Sequence, residues 1–183
     1  MRHIIWNRWD ETQWQQIAPL YRQAFPNGAK TKEIIKIMFD KRMCELHAGI
    51  MDNEEPAAMA LTGRADNIHA LIIDYFAVRR DLRNQGIGSE FLRLIQAWAK
   101  ERQRLEGIII EAEAAPTEEN DRRRQFWMRN GFRQTEYVHR YIWVPETYQA
   151  LYLPFGEGAR LPEDGESLFR HITAFHRRAY GRA

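Results

Sequence analysis

Apolar residues recur with a helical period in some stretches and alternate in others, and the switches between the two divide the chain into elements. His3 to Trp9 has the β-branched and aromatic content of a first strand. Asp10, with Gln13 three residues on, reads as a capping box that opens a helix whose apolar face is Trp14, Ile17, Leu20, Tyr21 and Phe25. Pro19 removes a backbone donor there and predicts a kink or break near Ala18. After the turn Pro26-Asn27-Gly28, Thr31 caps a second short helix with Ile34, Ile35, Met38 and Phe39 inward.

Alternation then takes over. Cys44, Leu46, Ala48 and Ile50 interleave with Glu45, His47 and Gly49, the turn Asp52 to Glu55 leads to a strand Ala57 to Gly63, and Asp66-Asn67 marks a further turn. Ile68 to Val78 is apolar on both faces, as a central strand should be, with Asp74 as its exception. Ser89 to Leu105 carries Phe91, Ile95, Trp98 and Leu105 on one face and is predicted to be a helix that Gly107 ends as its C′ residue. Ile108 to Ile110 forms the next buried strand. The order strand, helix, strand makes it parallel to Leu71 to Val78 through a right-handed crossover. Thr117 caps a helix with Glu118 and Glu119 in its first turn, and Asn130-Gly131 stops it. Gln134 to Trp143 and Tyr148 to Leu153 close the sheet around a Pro145 to Thr147 turn. A Pro/Gly/Glu-rich loop from Pro154 to Gly165 leads to an amphipathic helix, Ser167 to Tyr180.

Composition narrows the classes. The 183 residues suit one domain with a proper core, 44% are hydrophobic, and no segment approaches the ~20 apolar residues of a membrane span. The start, MRHIIWNRWDE, turns polar too soon for a signal peptide. The single cysteine, Cys44, rules out an internal disulfide and fits a reducing, cytoplasmic setting; in an alternating strand it reads as a small core residue, not a nucleophile. A net charge of +2 does not mark a nucleic-acid protein, and the six histidines include no pair at i, i+4, so no metal is expected.

The candidate chemistry lies at Arg83 to Gly88, RNQGIG, between the strand ending at Val78 and the helix that follows. Backbone N–H groups unobstructed by Cβ atoms, at the positive end of a helix dipole, make an anion cradle. It is not a Walker A loop, because Ser89 and Glu90 follow Gly88 where Lys and Ser/Thr are required. It is not a Rossmann turn either, because position 91 is Phe. Arg83-x-x-Gly86-x-Gly88 after an apolar strand resembles the acyl-CoA pyrophosphate loop of the GCN5-related N-acetyltransferase (GNAT) superfamily. The strand Gly107 to Glu113, then Asn120, Trp127 and Asn130-Gly131-Phe132, resembles the same family's second cofactor element. The stretch GIGSE and an acidic residue at position 74 are similar to the spermidine/spermine acetyltransferase branch.

The resemblance implies an α/β fold of the GNAT type. Its central mixed sheet is mostly antiparallel, with a parallel pair at the acyl-CoA site, helices on both faces and an extra C-terminal helix. Residues 1–153 would form the acetyltransferase domain and 154–183 an extension of it that could cover the core, lean on the acceptor site or make a homodimer contact. It implies acetyl-CoA as co-substrate and a small-molecule or peptide amine as acceptor, with neither membrane nor nucleic acid as partner. Phe76, Ala77 and Val78 would offer backbone to the thioester and pantetheine arm. Arg83 would pair with phosphate, Gln85, Gly86, Ile87, Gly88 and Ser89 would donate N–H groups to the pyrophosphate, and Asn120 would bond the pantetheine. Two other readings stand beside this one: an acyl-CoA-binding or regulatory module without turnover, and an acetyltransferase acting on RNA or the ribosome.

Catalysis needs a base, since a primary amine of pKa ~10.4 costs roughly 4.6 kcal/mol to deprotonate at pH 7. Asp74 is the first candidate; Glu111, Glu113 and Glu136 are reserve carboxylates that could attract a cationic acceptor. Where many relatives carry a Tyr as general acid this chain has Trp127, whose indole donates a hydrogen bond but is no acid. Trp127 could pack against the acetyl end instead, and Tyr137 or Tyr141 on the next strand could supply the proton.

Overall fold

The computed structural model describes residues 1–181. In chain order the elements are β1 Arg2–Trp6, α1 Glu11–Ala24, α2 Lys32–Asp40, β2 Cys44–Ile50, β3 Pro56–Ala65, β4 Ala70–Val78, α3 Ile87–Ala97, β5 Gly107–Glu113, α4 Glu118–Arg129, β6 Arg133–Arg140, β7 Thr147–Pro154 and α5 Gly165–Tyr180. Their contacts fall into two units. The first holds Met1–Gly63, Ile73–Trp98 and the described residues from Arg178 on; the second holds Arg64–Ile72 and Ala99–Arg177.

In the first unit β1 pairs antiparallel with β2 and β2 with β3, with Arg2 opposite Ile50, Trp6 opposite Leu46 and Cys44 opposite Gly63. Ile17, Ile35, Met38, Met59, Leu61, Phe91, Leu92 and Ile95 are fully buried, each stabilising the fold by roughly 1.5–3 kcal/mol. Asp10 and Thr31 cap α1 and α2 as the sequence predicts, each accepting from the backbone N–H three residues on. The break expected near Ala18 does not occur: α1 runs unbroken through Pro19. Pro19 and Gln15 both lie on the exposed face, where the Gln15 carbonyl that loses its bond is open to solvent, while Trp14, Ile17, Leu20 and Tyr21 hold the other face to the core.

In the second unit β7 lies between β5 and β6, antiparallel to both, with Gly107 opposite Pro154 and Arg133 opposite Tyr152. β4 belongs to both units, so the strand order is β1-β2-β3-β4-β5-β7-β6, a mixed sheet whose parallel pair is β4 and β5. Thr117 caps α4, accepting from the Asn120 N–H. α3 stops sooner than its pattern predicts and passes into one π-helical turn, Trp98–Arg102. The residue taking the left-handed conformation is then Arg104, φ 53°, and not Gly107. Gly107 is the first residue of β5, and a Cβ there would lie 2.2 Å from the Leu153 carbonyl oxygen. Close approach of β7, not helix termination, is what that glycine provides.

A histidine pair, with His47 buried and His3 half-buried, ties β1 to β2. His3 Nε2 and His47 Nδ1 are 3.0 Å apart, and His47 Nε2 lies 2.9 Å from Thr62 Oγ1. Burial holds His47 well below its ordinary pKa, with the neighbouring His3 adding to the effect, and burial lowers His3 too. The unfolded chain therefore binds more protons than the folded one as pH falls through the ordinary imidazole range, about 6.5. Stability should be full above that range and fall below it. Urea midpoints measured from pH 8 down to pH 5 should decline in the wild type and decline much less in His47→Gln; equal slopes would assign the acid sensitivity elsewhere.

Candidate active site

β4 ends at Val78, and the chain passes through a single 3-10 turn, Arg80–Leu82, before α3 begins at Ile87. Gly86 is the N-cap. Its φ of +82° is open to glycine and strained for a residue with a Cβ, and no side chain caps this helix. The Glu90 N–H bonds the Gly86 carbonyl at 3.0 Å, so the N–H groups of Ile87, Gly88 and Ser89 precede the first intrahelical bond. They form the positive end of the α3 dipole. Two of the side chains expected here serve the turn itself: Arg83 Nε donates to the Val78 carbonyl at 3.1 Å and Gln85 Nε2 to the Asp81 carbonyl at 2.8 Å. Arg79 pairs with Glu55 and Asp81.

Phe76 packs 5.6 Å from Phe91, and Ala77 is buried. Asp74, on the same strand, meets a partner that sequence reasoning missed. Lys30 Nζ lies 2.9 Å from both carboxylate oxygens, and the two side chains are only 2% and 3% exposed. Burial works against the Lys30 charge, but Asp74, Tyr75 and Tyr180 outweigh it and raise the lysine above its ordinary range. Tyr21 donates to the Lys30 carbonyl at 3.0 Å, and the Lys30 N–H donates to the Tyr75 hydroxyl at 2.9 Å. A lysine in the turn before a cap reads as a solvated residue, and nothing local betrays its burial.

In the second unit Asn120 is buried and committed to the start of α4: its Nδ2 donates to the Ala115 carbonyl at 3.2 Å and its Oδ1 accepts from Arg123 at 3.4 Å. Arg124 is buried against Asp121 and the Glu113 carbonyl, whereas Arg122 and Arg123 make ion pairs on the exposed face. Trp127 is 9% exposed and packs edge-on between Phe126 and Phe132 at 5.2 and 5.1 Å. Tyr137 is 39% exposed on β6, its hydroxyl 3.5 Å from His139 Nδ1. Tyr141 donates to Glu111 at 2.7 Å, and burial first, then the Glu111 charge, pushes its ionisation up. Glu113 lies 3.6 Å from Arg123, and position 136 is exposed. No group of three or more potential metal ligands occurs among the described residues, and no helix there is long and apolar enough to cross a membrane.

A strand, an uncapped glycine turn and a helix, next to a parallel strand pair, is the arrangement of the acetyltransferase (GNAT) family, whose model matches residues 14–132. The chain belongs to that family. It is a family of N-acetyltransferases. The fold matches a protein from Bacteroides thetaiotaomicron assigned to the GNAT family over 100% of both chains, with a TM-score of 0.73 and 20% identity. A variant of spermidine N-acetyltransferase from Vibrio cholerae matches at TM-score 0.66 and 8% identity over 84% of this chain and 95% of that one. A Bacillus anthracis protein described as a streptothricin acetyltransferase, solved with acetyl coenzyme A, matches at TM-score 0.55 and 16% identity over 72% of each chain. Among curated proteins no sequence matches this one.

The Lys30–Asp74 pair makes a testable energetic claim. Removing one partner strands a buried charge, whereas replacing both with apolar residues removes the desolvation cost as well. Lys30→Met or Asp74→Leu alone should each destabilise by roughly 3–5 kcal/mol in urea unfolding. The double variant should recover most of that loss; additive losses would show that the two charges do not depend on each other.

Proposed function

We propose that this protein transfers the acetyl group of acetyl-CoA directly to the nitrogen of an amine acceptor. The observation that carries the reading is the start of α3, where Ile87, Gly88 and Ser89 present N–H groups beyond a left-handed Gly86 with no side-chain cap. Such a terminus fits a pyrophosphate without rearrangement. In this reading Gln85 and Gly86 add their N–H groups, and Arg83 gives up its bond to the Val78 carbonyl or shares it to meet a phosphate oxygen. Backbone at Phe76, Ala77 and Val78 serves the thioester and pantetheine arm, and Asn120 contributes a hydrogen bond to the arm, as the family resemblance implies.

The chemistry divides into making the amine nucleophilic and releasing a thiolate. Asp74, hydrogen-bonded by Lys30 at Oδ1 and 2.9 Å from it at Oδ2, is proposed to anchor β4 rather than to take the proton, which the acceptor's ammonium gives up to solvent. A thiolate with a conjugate acid near 8.5 is a tolerable leaving group at neutral pH, so no strong acid is required. Trp127 then contributes packing. The second reading, an acyl-CoA-binding module without turnover, is favoured by Trp127 standing where relatives carry an acid. Thiol release across a panel of amines and peptides separates the two.

Ser89→Asp tests the cradle, because fold and function respond with opposite signs. A carboxylate in the first turn of a helix stabilises it by about 0.3–1 kcal/mol, while it repels a pyrophosphate at the same N–H groups. The urea midpoint should hold or rise and acetyl-CoA affinity by calorimetry should fall at least about tenfold, which is some 1.4 kcal/mol; unchanged affinity would place the cofactor elsewhere. For the acid, Trp127→Phe and Tyr137→Phe should each retain appreciable turnover at saturating acetyl-CoA. A loss of about a thousandfold confined to Tyr137→Phe would make that hydroxyl the proton donor.

A further inference from the structure

The C-terminal helix lies beyond the family match, yet it delivers a side chain onto a carboxylate of β5. His176 Nε2 is 2.7 Å from Glu111 Oε1, and the Tyr141 hydroxyl donates to Glu111 Oε2 at 2.7 Å. Both oxygens are thereby fixed in direction, and an ionised carboxylate with about four lone-pair sites still has acceptor capacity after two such bonds. The side chain keeps 20% exposure. Around it stand aromatic faces: Tyr141 lies 5.6 Å from Tyr148 and 4.5 Å from His139, and His139 stacks on Phe169 of α5 at 4.3 Å.

Further carboxylates stand near this cluster, and one of them, Glu113, is paired with Arg123 at 3.6 Å. Tyr148 is pushed up to about 12, by burial first and then by the carboxylates of Glu111, Glu146 and Glu113. Burial lowers His139, so that ring is neutral at pH 7. A carboxylate held by a phenol and an imidazole, among ring faces, suits an organic cation: the charge meets the carboxylate and the alkyl body meets the rings. A purely structural clamp needs only the hydrogen bonds, not a carboxylate that remains within reach of solvent.

We propose that Glu111, oriented by His176 and Tyr141, is a recognition site for an organic ammonium group, so that the acceptors of this protein are cationic amines and not anionic ones. This rests on the acetyltransferase reading for the word acceptor; the binding site itself does not. His176 and Tyr141 act as positioning residues, which gives the C-terminal helix a part in specificity.

Three probes of equal chain length test it by calorimetry on the full-length protein: hexamethylenediamine, neutral hexanediol and anionic adipate. The diamine should bind at least about tenfold more tightly than hexanediol, as expected for a charge-assisted bond, and adipate should not bind. Glu111→Gln should weaken the diamine by about tenfold or more and leave hexanediol unchanged. His176→Gln retains a donor and should stay within about threefold of wild type, whereas His176→Phe should fall towards Glu111→Gln. Circular dichroism checks that each variant is folded. Equal affinity for the three probes, no diamine binding, or a diamine affinity indifferent to Glu111→Gln overturns the site; His176→Phe matching wild type overturns the positioning role. Acetyl-CoA affinity measured on the same samples judges the acetyltransferase reading separately, since its absence in the wild type would defeat that reading and leave the diamine result standing.

Discussion

A helix cannot pair its own first N–H groups, and every fold must decide what to do with them. At α1, α2 and α4 side chains of Asp10, Thr31 and Thr117 take up part of that demand. At α3 nothing does: the cap is a glycine in the left-handed region, and the helix opens directly after the turn that leaves β4. Those donors are left for water or an anion to take up. The rest of the turn supports this geometry, with Arg83 and Gln85 returning their side chains to backbone carbonyls of the same segment.

Upstream on β4, charge is handled in the opposite way. Asp74 and Lys30 are withdrawn almost completely from solvent and answer one another, with Tyr21 and Tyr75 bonding the lysine backbone. Burial works against the Lys30 charge, and the neighbouring Asp74 carboxylate outweighs it. A carboxylate so engaged fixes the segment between α1 and α2 to the strand that leads into the glycine turn.

Glu111 shows a third treatment. Its neighbours are a phenol and an imidazole instead of an ammonium, so it is oriented without being answered by a permanent cation. The three arrangements, an open helix start, a matched buried pair and an oriented carboxylate, differ in the partners each polar group has.

What the sequence by itself determined lies within a few residues of itself. The three side-chain caps, the meander, the strand, glycine turn and helix, and the parallel pair implied by the crossover could all be read from spacing, because each is a matter of local backbone conformation and hydrophobic period. Gly107 was misread for the complementary reason, and of the kink or break expected at Pro19 the break does not occur. Whether a proline breaks a helix depends on which face meets the core, and Gly107 is a glycine because Leu153 of another strand approaches it. The tertiary structure alone decided the partners of the carboxylates. Lys30 and Asp74 are 44 residues apart and Glu111 and His176 are 65 apart. The charge and orientation of a polar group are set by whatever surrounds it at close range, and in a sheet threaded out of sequence order that neighbourhood is assembled by strand register and helix docking, which no local pattern records.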